Sequence, residues 1–143
     1  MAKYIPSPRE WVREQVDLYE RSGGAEGTSL RDTGLPVIIV THIGNKTGAV
    51  RKTPLMRVMD GDNYVLVGSQ GGAPKHPAWV HNLRADPRAR VELAGESFDV
   101  TPRELPPDER QDIIPKVNAL GSAFAEFQSN TSRVIPIFEL NEV

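Results

Sequence analysis

Apolar residues first recur with a helical period after Ser7-Pro8-Arg9-Glu10, where Val12, Val16 and Tyr19 fall at i, i+4 and i+7 beside Trp11 and Leu18. That spacing puts them on one face and predicts an amphipathic helix over about residues 7–22. Ser7 and Glu10 have the spacing of a capping box, with proline at the first helical position. Gly23-Gly24 stops the run, and residues 23–34 show no period, which reads as a flexible connection.

The pattern then changes to β-branched residues. Pro36 to Ile43 is too short for a typical helix and too apolar for an edge exposed on both faces, so it predicts a central strand. Gly44-Asn45-Lys46-Thr47-Gly48 turns the chain into a second strand, Val50 to Met59, and Asp60-Gly61-Asp62-Asn63 turns it again into Tyr64 to Gly68. Three such strands in succession suggest a meander, and Pro54 limits the second to an edge, a bulge or a place where a ligand meets the backbone. Pro77 opens a short helix, Ala78 to Ala85, that Asp86-Pro87 ends. Arg88 to Leu93 and Ser97 to Glu104 form a hairpin across Ala94-Gly95-Glu96. Pro106 to Leu120 reads as a helix with acids in its first turn, a short helical piece carries Phe124 and Phe127, and Val134 to Leu140 closes as a strand. About six strands and three or four helices without βαβ alternation describe an α+β, mainly antiparallel chain, best fitted by a small barrel with helices at its mouth.

Composition narrows this picture. At 143 residues with 38% hydrophobic content, the chain suits one domain, residues 1–143, and one core. No run approaches the roughly 18 apolar residues of a membrane span, and the first twenty residues lack a secretory core, so a cytoplasmic protein is expected, with membrane association unsupported. The absence of cysteine excludes disulfides, iron–sulfur clusters and thiol nucleophiles. The formal charge of −2 conceals a basic middle: Lys46 to Arg90 carries +5 and the remainder −7. That distribution suits one anionic small molecule better than a nucleic-acid backbone.

Protein-borne catalysis finds little support. No serine sits in a strand–turn–helix elbow, and no spaced His/Asp cluster suggests a metal. His42, on an apolar strand, reads as a structural histidine, and Asp108-Glu109 as helix-capping acids. The chemistry is therefore expected to belong to a cofactor. Within Gly44 to Gly48 a glycine-bounded turn can expose successive N–H groups, to which Lys46, Thr47, Arg51 and Lys52 add donors, an arrangement suited to a phosphate or carboxylate. Between Leu66 and Leu83, small residues at a strand end allow a flat ring to approach the main chain before a helix start.

Thr-Gly-x-x-Arg-x-Thr-Pro-Leu, Gly-Gly-Ala-Pro-Lys-His-Pro-x-Trp-x-x-Asn-Leu and the following Asp86-Pro87 closely resemble the deazaflavin-dependent nitroreductases of actinobacteria, from about Val37 to the C-terminal strand. The resemblance implies a split β-barrel, often dimeric, using coenzyme F420. It implies that Asn45, Lys46, Thr47, Arg51 and Lys52 hold the coenzyme's phosphate and oligoglutamate tail. It further implies that Thr53, Pro54, Leu55 and Met56, with Val67, Gly68, Ser69 and Gln70 and with Ala78, Trp79, Val80, His81 and Asn82, line the deazaflavin. Met56, Ser69, Phe124 and Phe127 match the family's acceptor positions, and the Ser69 hydroxyl is a candidate proton donor. Nitroimidazole-activating relatives carry tyrosines at some of these places, where this chain has Met56, Gly121, Phe124 and Phe127. A pocket of Phe and Met favours a hydrophobic acceptor with an activated double bond: an enone, an unsaturated lactone such as a coumarin-type furan toxin, or a quinone. Flavin mononucleotide (FMN) in a related split barrel, and a carrier or sensor that binds deazaflavin without turnover, stay open as alternatives.

Overall fold

The computed structural model describes residues 3–29, 36–69, 73–119 and 124–143, without the side chains of Phe124, Ala125 and Phe127. The elements in order are α1 (Glu10–Arg21), β1 (Val37–Ile43), β2 (Val50–Met56), β3 (Val58–Asp60), β4 (Asn63–Val67), α2 (Ala78–Ala85), β5 (Ala89–Leu93), β6 (Glu96–Glu104), α3 (Pro107–Ala119), α4 (Phe124–Ser129) and β7 (Ile137–Glu142). The strands form one antiparallel sheet in the order β2-β1-β5-β6-β7-β4-β3. β2 and β3 occupy its opposite edges, yet only Arg57 separates them along the chain. A flat seven-strand sheet cannot meet that constraint, because neighbouring strands lie nearly 5 Å apart. The sheet must curl until its edges approach, giving the split barrel.

This order corrects the expected meander. β1 pairs with β2 and β3 with β4, but β2 and β3 are not hydrogen-bonded neighbours. The expected strand Val50 to Met59 is divided at Arg57, whose N–H donates to Pro36 O at 2.8 Å. Pro54 does lie on an edge strand, opposite Ile39 of β1. The capping box is also absent: α1 begins at Glu10, and the Ser7 hydroxyl accepts from the N–H of Arg9 at 3.1 Å. Of the connection expected to be flexible, residues 23–29 are tied down. Gln15 Nε2 donates to Gly27 O and Ser29 O, and Gly24 N–H donates to Tyr19 O. Residues 30–34 lie outside the described residues.

Three clusters share the sheet. The barrel interior holds Ile38, Val40, Leu66, Val91, Phe138 and Leu140, and the α2 residues Trp79, Val80 and Leu83 plug one mouth. α1 lays Val12, Val16 and Tyr19 on Val37 and Ile39 of β1, on the outer face. α3 covers Val58, Val65 and Ile137 with Ile113 and Val117. Alternation along β2 follows from these faces. Arg51, Thr53 and Leu55 point with β1 residues His42, Val40 and Ile38 toward α2, while Lys52 lies opposite Thr41 on the α1 side.

Candidate functional site

α2 reaches both segments that the sequence singles out. Its Asn82, 5% exposed, accepts the N–H of Asn45 on Oδ1 at 2.9 Å, and its Nδ2 lies 3.0 Å from His42 Nδ1. Since Oδ1 is an acceptor here, Nδ2 is the donor to His42. The imidazole proton therefore sits on Nε2, which meets Thr53 Oγ1 at 2.9 Å. One chain of hydrogen bonds thus runs from the β1–β2 turn through α2 and β1 to Thr53. Two residues earlier in α2, Val80 packs on Gly68. A Cβ on that glycine would stand 2.9 Å from Val80 Cγ2 and 2.9 Å from Pro136 Cγ.

The turn uses its amides differently from the expectation of a row of exposed donors. Gly44 N–H bonds Ala49 O, Gly48 N–H bonds Gly44 O, and Ala49 N–H bonds the Thr47 hydroxyl. With Asn45 on Asn82, four amides hold the turn together, so an anion placed there would have to be met mainly by side chains. Lys46 is exposed and Arg51 half-buried, and among the described residues no ion pair engages Lys46, Arg51 or Lys75. Lys52 is placed elsewhere: its Nζ pairs with Glu20 of α1 and lies 4.8 Å above the Tyr4 ring.

The remaining expected site residues divide similarly. Thr53, Leu55 and Met56 are half-buried, Met56 against the α3-side cluster, and Pro54 is buried. Val67 and Ser69 are half-buried and Gly68 is buried. Ala78 and His81 are exposed at the surface of α2, whereas Trp79 and Val80 are core residues at 4% and 0% exposure that position the helix. Gln70 lies outside the described residues, as do the side chains of Phe124 and Phe127. Among the described residues there is no cluster of His, Asp and Glu able to hold a metal.

Arg133 escaped the sequence reading. Its Nε donates to Ala73 O at 2.8 Å, Nη1 to Gly68 O at 3.1 Å and Nη2 to Ser69 O at 2.8 Å, while Nη1 also meets His76 Nδ1 at 2.8 Å. A guanidinium bonded to main-chain carbonyls leaves no pattern of residue types to find.

Two titrating groups, buried His42 and half-buried Glu92, pull stability in opposite directions. Burial, aided by Arg51, lowers His42 from 6.5 to about 4. As pH falls below 6.5 the unfolded chain takes a proton that folded His42 refuses, so stability is lost down to about pH 4. Burial, a hydrogen bond with Glu20 and its charge raise Glu92 from 4.5 to about 7. Folded Glu92 therefore holds a proton that the unfolded chain releases, and stability is lost as pH rises from 4.5 to about 7. The slopes oppose each other across the shared window. Glu92→Gln removes one of them, so its unfolding free energy in urea should rise between pH 5 and 7 by about 1 kcal/mol more than the wild type's, after discounting for solvent around this half-exposed group. Parallel curves for the two proteins would refute the assignment. The acids themselves, with Tyr19, Gly24, Gly95 and Glu96, line a cavity of about 140 Å³ between α1 and the β5–β6 hairpin. It shares no residue with the α2 junction.

The comparisons agree with this fold. A family model described as F420H(2)-dependent quinone reductase matches residues 11–142. An F420H(2)-dependent quinone reductase of Mycobacterium tuberculosis is 34% identical over 129 residues, covering 86% of this chain and 84% of its own length. A solved F420-H2 dependent reductase, FDR-A, superposes with a TM-score of 0.68 at 37% identity, covering 74% of this chain and 94% of that one. A structure described as a domain-swapped dimer does so at 0.70 and 37% identity, covering 94% and 100%. An FAD-binding protein of Mesorhizobium loti, at 14% identity and a TM-score of 0.52, shares the fold alone, over 74% of this chain and 78% of that one.

Proposed function

Because this chain belongs to the F420H(2)-dependent quinone reductase family, we propose that it holds reduced coenzyme F420 across the α2 junction and passes hydride to a hydrophobic acceptor with an activated double bond. Family membership makes it an F420-dependent oxidoreductase; the residue roles and the acceptor class are our reading. The observation that carries the reading is the bridge made by α2, with Asn82 on the β1–β2 turn and Val80 against Gly68. A coenzyme with an anionic tail and a flat ring needs both features at one junction.

The donor set fits that coenzyme. Lys46, Thr47 and Arg51, with the Asn45 side chain, would take the phosphate and carboxylates of the tail. The side chains of Thr53 and Leu55, the main chain at Pro54 and Met56, and Val67 to Ser69 would border the ring, and Ala78 and His81 its linker. The bound coenzyme supplies hydride chemistry, while the protein supplies orientation and exclusion of water. Ser69, half-buried at the strand end, is our candidate to donate the proton that completes reduction of the acceptor. His42 stays neutral throughout and, by donating from Nε2 to Thr53 Oγ1, leaves the Thr53 hydroxyl hydrogen for another acceptor. Met56 with Phe124 and Phe127 would form the apolar acceptor side, favouring an enone, unsaturated lactone or quinone.

Strand alternation separates the two basic residues of β2. Arg51→Ala should weaken F420 binding by about 1 to 2 kcal/mol, or roughly 5- to 30-fold, the worth of a charged hydrogen bond. Lys52→Ala should leave affinity within about twofold, since Lys52 serves Glu20 and α1. Equal losses from the two would contradict this placement. FMN would suit a similar cleft, but membership of this family favours F420. A homodimer is the assembly we expect, by analogy with the domain-swapped relative.

Titration of the purified protein with oxidised F420 and with FMN, followed by fluorescence, tests the reading. Oxidation of reduced F420 is then measured with menadione and with an unsaturated lactone. Selective F420 binding with acceptor-dependent oxidation supports the reductase. Selective FMN binding moves the protein to flavin chemistry, and F420 binding without turnover makes it a carrier.

A further inference from the structure

We propose that Arg133 is a positioning residue that fixes the main chain of the ring shelf and ties it to α4, so that the coenzyme side and the acceptor side of the site move as one. The proposal rests on the reading of Val67 to Ser69 as the shelf. Its basis is the concentration of contacts on one side chain. Four donor contacts of the Arg133 fork reach Gly68 O, Ser69 O, Ala73 O and His76 Nδ1, all within 3.1 Å. Three carbonyls, of Gly68, Ser69 and Ala73, are therefore drawn to a single planar cation. No cis peptide occurs among the described residues, so the Ser69 N–H points opposite to the Gly68 carbonyl, away from the guanidinium. Arg133 thereby decides which side of the strand end displays donors.

Arg133 is itself held from the other side. Gln128 of α4 donates from Nε2 to Arg133 O at 2.8 Å. The same amide's Oε1 accepts from Ile135 N–H at 3.1 Å and from Arg110 Nη2 of α3 at 3.1 Å. Arg110 Nε in turn donates to Ile135 O at 2.9 Å. A continuous set of bonds therefore runs from α3 through Gln128 to residues 133–135 and on to the shelf. Gln128 follows Phe127 in α4, the helix proposed to face the acceptor. Among the described residues no carboxylate pairs with Arg133, so main-chain dipoles and neutral His76 surround its charge. Lysine keeps the charge but cannot reproduce a planar fork reaching four acceptors.

The test compares wild type, Arg133→Lys, Arg133→Ala and Gln128→Leu. Amide hydrogen exchange is measured without coenzyme, and F420 affinity by fluorescence. Arg133→Lys should speed exchange at residues 68, 69, 73, 75 and 76 at least about tenfold while leaving α1 and the β5–β6 hairpin protected, and should weaken F420 about 10- to 100-fold. Gln128→Leu should give the same pattern more weakly, because it acts through Arg133. Millimolar guanidinium should restore part of the F420 affinity of Arg133→Ala. Faster exchange spread over every element, or wild-type affinity in Arg133→Lys, overturns the proposal. Failure of the wild type itself to bind F420 overturns the coenzyme reading and the coupling built on it, whereas exchange in the ligand-free proteins decides separately whether Arg133 orders the loop.

Discussion

Asn82→Leu is expected to lower stability by about 2 to 4 kcal/mol, and F420 affinity about tenfold, although leucine matches the size of the side chain it replaces. Asn82 satisfies two separate groups: it accepts from Asn45 N–H and donates to the buried His42 Nδ1. Leucine does neither. A buried polar group left without its partner costs about 1 to 3 kcal/mol, and His42 at 3% exposure has little recourse to water. Release of Asn45 also frees the turn that carries Lys46 and Thr47, which is how a core substitution would reach the coenzyme. Thermal unfolding should register a fall of roughly 10 °C in Tm. A lowered Tm with wild-type F420 affinity would show that the turn keeps its shape without Asn82, and would remove α2 from the account of the site. Asn82→Asp offers a finer test. The carboxylate still accepts from Asn45 but cannot donate to His42, and its charge favours a proton on Nδ1. His42 should then titrate well above about 4, observable by NMR of its ring protons.

How far the sequence discloses this arrangement depends on whether each feature is local. α2 is read to its last residue, Ala78–Ala85, because Pro77 starts it and Asp86-Pro87 stops it. The β5–β6 turn is equally local: Ala94 and Gly95 both take positive φ, 53° and 85°, as a two-residue hairpin requires. Strand order is not local. Arg57 stands within an extended run with nothing to mark a change of edge, yet it separates two strands at opposite limits of the sheet. Proximity in sequence does not fix placement where alternation decides it. Arg51 and Lys52 look like one basic pair, but successive strand residues face opposite ways, and Lys52 is given to Glu20. The β1–β2 turn is legible as a turn, while its internal use of four amides follows only from coordinates. Arg133 lay outside any motif because its partners are carbonyls, which every residue possesses.

Gly68→Ala adds one methyl group and should cost about 1 to 3 kcal/mol of stability, with a loss of F420 affinity of about tenfold or more. The new Cβ would lie 2.9 Å from Pro136 Cγ, 2.9 Å from Val80 Cγ2 and 3.3 Å from Pro136 Cδ. Neither neighbour can yield easily. Val80 is fully buried in the barrel interior, and the proline ring is rigid, with its carbonyl accepting the Gly68 N–H at 2.9 Å. Relief must come from moving the end of β4, which displaces the carbonyl that Arg133 grips, or the start of α2, which carries Val80. The end of β4 and the β1–β2 turn both rest on α2, so a shift at Val80 is also felt at Asn82. Gly61→Ala supplies the control. Gly61 has φ +61° in the β3–β4 turn, and a Cβ there meets nothing within 4 Å. Its cost should be only the left-handed backbone penalty of about 1 to 2 kcal/mol, with F420 affinity unchanged. If Gly68→Ala behaved like Gly61→Ala in the binding titration, close approach at Gly68 would be a matter of packing alone, and the ring would have to be placed elsewhere along α2.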